Sequence, residues 1–313
     1  MTLNIILFFA GLLLLYYGAE YLVTGSTHLA LSYGVRPLVI GLTVVSFATS
    51  MPELMVSLFA SIKGSSAIAA GNIIGSNVAN IGLILGSAAL LFPLRSGRGI
   101  LFRELPYMVL ASVVVYGFSW DSQLTAGEGV VLLFMLVAFL YYCIRTAREV
   151  EVDTSVVDDT REIVVPTRGR WVVYVILGIV GLGVGAELMV RSAVAIALTL
   201  GVSEAVIGMS VVAVGTSLPE LAASVVSAWK GEMELSIGNV IGSNIFNLLF
   251  VFGFCTLIRP VEIERSLLFC ELPVMLLFSM ALWPLMYFGH ALDRKKGFGL
   301  LVAYAGFMVM IFQ

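Results

Sequence analysis

"LVIGLTVVSFATSMPELMVSLFASIKG", Leu38 to Gly64, reads as a membrane helix interrupted in its middle, with Thr49, Ser50, Pro52 and Glu53 crowded into an apolar run. A carboxylate at the bilayer centre costs at least ~2.5 kcal/mol even on the lenient insertion scale. The stretch nevertheless returns as "AVIGMSVVAVGTSLPELAASVVSAWKG", Ala205 to Gly231, identical at 13 of 27 aligned positions. The identities include Thr49/Thr216, Ser50/Ser217, Pro52/Pro219 and Glu53/Glu220. Apolar bias alone would not align the polar residues.

Working outward, the same offset of 167 relates Gly18-Ala19-Glu20 to Gly185-Ala186-Glu187, and Glu104-Leu105-Pro106 to Glu271-Leu272-Pro273. It also relates "GNIIGSNVAN", Gly71 to Asn80, to "GNVIGSNIFN", Gly238 to Asn247. The chain is therefore read as two homologous halves. Residues 1–145 form the first repeat, with its motif at 41–80, and residues 171–313 form the second, with its motif at 208–247. Residues 146–170 carry mixed charges without apolar period and read as a linker, too short for a regulatory domain.

Composition supplies the solvent. Of 313 residues, 60% are hydrophobic and 12% charged, with a mean hydropathy of +1.04. A soluble chain keeps about a quarter of its residues charged. Ten apolar segments recur, at about 3–24, 36–61, 71–92, 105–120, 126–145, 171–190, 203–228, 238–258, 271–289 and 297–313. The first lacks a basic leader and reappears as the sixth, so it reads as a retained helix rather than a signal peptide. The net charge of −3 argues for no nucleic-acid or acidic partner. Cys143, Cys255 and Cys270 lie in apolar stretches and read as buried small hydrophobes. His28 and His290 lie near segment ends and read as interfacial.

Five segments per half is odd, so the second half enters the membrane from the opposite side. Alternate loops carry 13 of the 17 Lys and Arg on one side, leaving Lys63, Arg191, Arg259 and Arg265 on the other. The basic side is cytoplasmic by the positive-inside rule. The linker then lies in the cytoplasm and both termini lie outside. The expected fold is an all-α membrane protein of ten transmembrane helices in two inverted five-helix repeats, an architecture of secondary transporters.

On a helix, Ser46, Thr49, Ser50, Glu53 and Ser57 share one face, as do Thr216, Ser217, Glu220 and Ser224, with Ala213 in the place of Ser46. Pro52 and Pro219 have no N–H, so the carbonyls of Ala48 and Gly215 lose their helical donors. In the following segments Asn72, Ser76 and Asn80, and likewise Asn239, Ser243 and Asn247, are spaced four apart along one face. Gly71 and Gly75, like Gly238 and Gly242, form a small-xxx-small pattern that lets helices approach. Such a set offers oxygen ligands only, the choice of hard cations such as calcium. Two carboxylates from inverted halves would neutralise one divalent ion.

These paired motifs resemble the alpha repeats of the calcium/cation antiporter superfamily, and its sodium/calcium exchanger family of prokaryotic type in particular. The resemblance runs the length of the chain. It implies a secondary active antiporter of the cell (plasma) membrane that exchanges cytoplasmic calcium for external sodium by alternating access, with the first and sixth helices sliding. It implies no enzyme, no cofactor and no obligate protein partner; the transported ions are calcium and sodium, and the surroundings are the lipid bilayer. By resemblance, Glu53 and Glu220 are the central calcium ligands, joined by the carbonyls of Thr49 and Thr216. One flanking sodium site would use Ser46, Thr49, Ser50, Glu53 and Ser243. The other would use Ala213, Thr216, Ser217, Glu220 and Ser76, with Asn80 and Asn247 in the middle. Proton-coupled relatives carry a glutamate after Gly-Asn; here Ile-Ile and Val-Ile follow. Many relatives have aspartate where this chain has Asn247, which argues against potassium co-transport. The alternatives are a proton-coupled cation exchanger at the same carboxylates and, in a different class, a passive cation channel. Of a third, an intramembrane hydrolase, no aspartate pair, Ser-Lys pair or His-Glu metal motif is found at depth.

Overall fold

A computed structural model describes residues 2–95, 97, 99–147, 168–200, 213–289 and 291–311, and this part of the chain is helical almost throughout. The helices are α1 (Thr2–Tyr33), α2 (Pro37–Thr49), α3 (Met51–Ile62), α4 (Ser66–Leu91), α5 (Ile100–Asp121) and α6 (Ala126–Thr146). After the linker come α7 (Arg168–Thr199), a single turn at Ala213–Gly215, α8 (Leu218–Trp229), α9 (Met233–Ile258), α10 (Leu267–Tyr287) and α11 (Arg294–Ile311). Two-residue ribbons tie helix ends together: β1 (Leu94–Arg95) with β4 (Ala291–Leu292), and β2 (Gln123–Leu124) with β3 (Val261–Glu262).

Seven of the described helices are long and apolar enough to cross a membrane, and the pair α2 and α3, bent by 43°, passes the same test when taken together. The chain is thus a multi-pass helical membrane protein. Of the two remaining expected segments, 203–228 lies partly outside the described residues. The segment 297–313 corresponds to α11, whose 18 residues include three basic ones in the first turn. α1 and α7 run longer than their apolar patterns, 32 residues each. Most of the linker and His290 also lie outside the described residues.

Burial separates the helices into two kinds. In α4 and α9, 78% of the spanning window is buried, against 22% in α1 and 28% in α7, so the former pair is central and the latter faces lipid. α1 and α7 pack against each other through glycine. A Cβ on Gly18 would stand 2.6 Å from the Leu182 nitrogen, and one on Gly11 would stand 2.8 Å from the Gly185 carbonyl. The contacts 11 with 185 and 18 with 178 run in opposite directions along the two helices, which are therefore antiparallel.

The proline motifs behave as their chemistry requires. Ser50 (φ −80°, ψ 3°) breaks the helix before α3, and Ser217 (φ −89°, ψ 5°) does the same before α8. Pro52 and Pro219 then sit in the first turn of the new helix, where no N–H is needed. π-helical turns follow at Asn80–Leu85 and Asn247–Val251, and again at Ile100–Glu104 and Leu267–Glu271. Such turns widen a helix locally and recur at functional sites. The first residues of each pair differ by 167.

Two expectations change. Cys143 and Cys255 are buried, but Cys270 is exposed, because it falls on the outer side of the π-helical turn that opens α10. The glycine pairs also part company. Gly238 and Gly242 lie against α2, where a Cβ would stand 2.8 Å from the Leu38 carbonyl and 2.8 Å from the Leu42 Cα. At Gly71 and Gly75 no neighbour lies within 4 Å of such an atom, and both line a cavity of about 210 Å³ with Asn72 and Ser76.

Candidate ion-binding site

Glu53 and Glu220 are the centre of the polar interior, both with no exposed surface. Each stands in the first turn after a broken helix, and each is reached by the hydroxyl of the serine at the other break. Ser217 donates to Glu53 Oε1 at 3.3 Å, and Ser50 donates to Glu220 Oε1 at 3.4 Å. Ser76 of α4 adds a bond to Glu53 Oε1 at 3.5 Å and lies 3.4 Å from the Ser217 hydroxyl. The second oxygen, Oε2, of each glutamate is buried without a hydrogen-bond partner.

The breaks are held open by asparagine amides. Asn72 donates to Ser57 Oγ at 2.9 Å and to the Glu53 carbonyl at 3.3 Å. Asn239 repeats this with Ser224 Oγ at 3.0 Å and the Glu220 carbonyl at 3.4 Å. Asn239 also accepts from Thr49 Oγ1 at 3.2 Å, so one amide joins α2, α8 and α9. The Thr49 hydroxyl lies 3.3 Å from that of Ser243. The Ser46 hydroxyl bonds main-chain carbonyls, those of Gly41 and, at 3.1 Å, Asn239.

The remaining expected residues fall as follows. Thr216 and Ser217 are buried beside Glu220; Ala213 opens its single turn, and its side chain lies outside the described set. Asn80 donates to Asn244 Oδ1 at 3.0 Å, while its own Oδ1 has no partner. Asn247 is fully buried with both amide atoms unpartnered. The sequence places Asn72 and Asn239 four residues before Ser76 and Ser243 on one face but assigns neither a task; their hydrogen bonds to Ser57 and Ser224 supply one. Asn244 was missed altogether, though "GSN" occurs in both halves.

The electrostatics are lopsided. The described ion pairs are Arg36–Glu234, Arg191–Glu187 and Lys230–Glu20, and none of them reaches Glu53 or Glu220. A buried carboxylate without a cation is expensive. Hydroxyls and amides orient the two but bring no positive charge. Among the described residues no three His, Cys, Asp or Glu cluster, so a zinc-type site is absent there and the donor set suits a hard cation.

Comparison with known proteins agrees in kind. The family model described as "Sodium/calcium exchanger protein" matches residues 3–145 and 170–313. The chain is 38% identical to "Inner membrane protein YrbG" of Escherichia coli over 317 residues, covering 99% of this chain and 96% of the relative. It is 30% identical to "Sodium/calcium exchanger MaX1" of Methanosarcina acetivorans, covering 99% of each. Among solved structures it resembles the sodium-calcium exchanger NCX_Mj soaked with zero Na+ and Ca2+, with a TM-score of 0.87, 31% identity and 99% of both chains covered.

Proposed function

The chain belongs to the sodium/calcium exchanger family, a family of transporters rather than enzymes, and from that premise we propose that it expels cytoplasmic calcium in exchange for external sodium. The observation that carries this reading is the pair Glu53 and Glu220: buried, each with an unpartnered oxygen, ringed by hydroxyls and, among the described residues, in no ion pair with a basic side chain. Two fixed negative charges demand either one divalent ion or monovalent ions in its place. Occupancy by calcium and by sodium is then mutually exclusive, which is the core of antiport. Calcium sits between the two carboxylates with the carbonyls of Thr49 and Thr216. Sodium occupies flanking positions among Ser46, Thr49, Ser50 and Ser243, and among Ala213, Thr216, Ser217 and Ser76, with Asn80 and Asn247 between.

The architecture behind this is ten helices in two inverted repeats, 1–145 and 171–313, joined by the cytoplasmic linker 146–170, with both termini outside the plasma membrane. Several contacts support it because they exchange places when 167 is added to one partner and taken from the other. Ser50 to Glu220 becomes Ser217 to Glu53, and Gly11 with Gly185 becomes Gly178 with Gly18. Ser112 donates to Ser279 at 3.2 Å, a residue bonded to its own counterpart, as expected on a pseudo-twofold axis. The antiparallel α1 and α7, peripheral and glycine-packed, move as one body across the centre, exposing it to one side at a time. No obligate protein partner is required.

The test is calcium-45 uptake into proteoliposomes under imposed gradients. Uptake driven by an outward sodium gradient, without potassium, is the expected result. Uptake driven equally by a proton gradient without sodium would overturn sodium coupling, and uptake without any counter-gradient would indicate a channel.

A further inference from the structure

Away from the ion site, α10 and α11 diverge to leave a groove of about 500 Å³ lined by Leu277, Phe278, Leu285, Leu300 and Ala303, with Lys295 and Lys296 at its head. Its two walls differ for local reasons. α11 is pinned to α4 by a glycine contact, since a Cβ on Gly297 would stand 2.8 Å from the Gly86 carbonyl. On the other side Pro284, inside α10, withdraws one main-chain bond from the helix. Gly299, on the groove, has nothing within 4 Å of where a side chain would begin.

The head of the groove is basic. The Lys296 ammonium is used internally, donating to the carbonyls of Phe288 and Ala291, the latter at 2.7 Å. That closes the end of the groove and leaves Lys295 exposed on its rim. Arg294 precedes it, and Arg95 stands opposite Ala291 across the β1–β4 ribbon, both exposed. Asp293 is the acidic neighbour; its Oδ1 accepts the main-chain N–H of Lys296 at 2.9 Å, and its single negative charge is outnumbered by Lys295, Arg294 and Arg95. Exposed Tyr287 and Phe288 stand at the end of α10 at the same level, where aromatic side chains mark a membrane interface. An apolar slot ending in exposed positive charge at an interface is complementary to one class of molecule. Basic pockets between membrane helices bind acidic lipid headgroups.

We propose that this groove binds one anionic phospholipid, with its phosphate at Lys295 and an acyl chain lying between α10 and α11. Arg294 and Arg95 add charge at the same end. The site is separate from the ion centre and would couple the stability of the second half of the chain to membrane composition.

Native mass spectrometry of the purified full-length chain, offered equal phosphatidylglycerol and phosphatidylcholine of identical acyl chains, tests this. Preferential retention of one phosphatidylglycerol is expected. The double substitution Arg294→Gln and Lys295→Gln should reduce that preference about 25-fold, at about fivefold per basic residue near an acidic headgroup. Gly299→Trp, which fills the groove, should release both lipids while leaving a monodisperse elution profile. Equal retention of the two lipids by the unaltered chain would overturn the proposal, as would a preference that survives both variants. A disulfide-linked dimer formed through Ala303→Cys in a cysteine-free background would also overturn it, by identifying a second copy as the occupant.

Discussion

Asn239 carries the most informative single substitution. Its fully buried amide makes three hydrogen bonds, to Ser224 at 3.0 Å, Thr49 at 3.2 Å and the Glu220 carbonyl at 3.4 Å. Asn72, its counterpart, makes two, to Ser57 at 2.9 Å and the Glu53 carbonyl at 3.3 Å. Hydrogen bonds between membrane helices average about 0.6 kcal/mol each. Asn239→Ala therefore forfeits about 1.8 kcal/mol and Asn72→Ala about 1.2 kcal/mol, before any relaxation. If these bonds hold the broken helices in the ion-binding arrangement, the loss falls on calcium affinity. At tenfold per 1.4 kcal/mol that is about 20-fold for Asn239→Ala and about sevenfold for Asn72→Ala. The assay is the calcium concentration for half-maximal sodium-driven uptake in proteoliposomes, with thermal unfolding measured alongside. An affinity within twofold of wild type, together with a lowered unfolding temperature, would refute the reasoning and make Asn239 a packing residue.

Glu53→Gln or Glu220→Gln preserves size and removes one of the two charges; coupled calcium transport should fall at least 100-fold by proteoliposome flux, since a charge-matched ligand for a divalent ion is lost, with membrane insertion unchanged by size-exclusion profile. In a cysteine-free background, Lys63→Cys and Lys230→Cys should react with an impermeant thiol reagent from opposite sides of the membrane; labelling from the same side would break the inverted-repeat reading. Asn247→Asp would bury a third carboxylate near two others, a charge that must take up a proton or recruit another cation. Its calcium flux, measured across a pH series with and without potassium, should depend on potassium or more steeply on pH than that of the wild type.

What the sequence determined by itself is what a single helix in a bilayer dictates. Periodicity puts Ser46, Thr49, Ser50, Glu53 and Ser57 on one face, and all five are buried. Proline fixes where helices must restart, and the 167-residue offset announces two copies of one design. None of this requires knowing which helix faces which. That is the part only tertiary structure decided. Ser50 sits beside Glu53 in sequence yet bonds Glu220, and Ser217 bonds Glu53, because the serine at each break projects toward the opposite half. Ser46, expected among the sodium ligands, is turned to main-chain carbonyls of α9. The two glycine pairs are identical in sequence, but Gly238 and Gly242 are packed by Leu38 and Leu42 while Gly71 and Gly75 face a cavity. A helix's own residues specify its polar stripe and its small-residue stripe through a 3.6-residue period. The partner that meets each stripe is chosen by how two whole halves pack, and that choice involves residues more than 140 positions away.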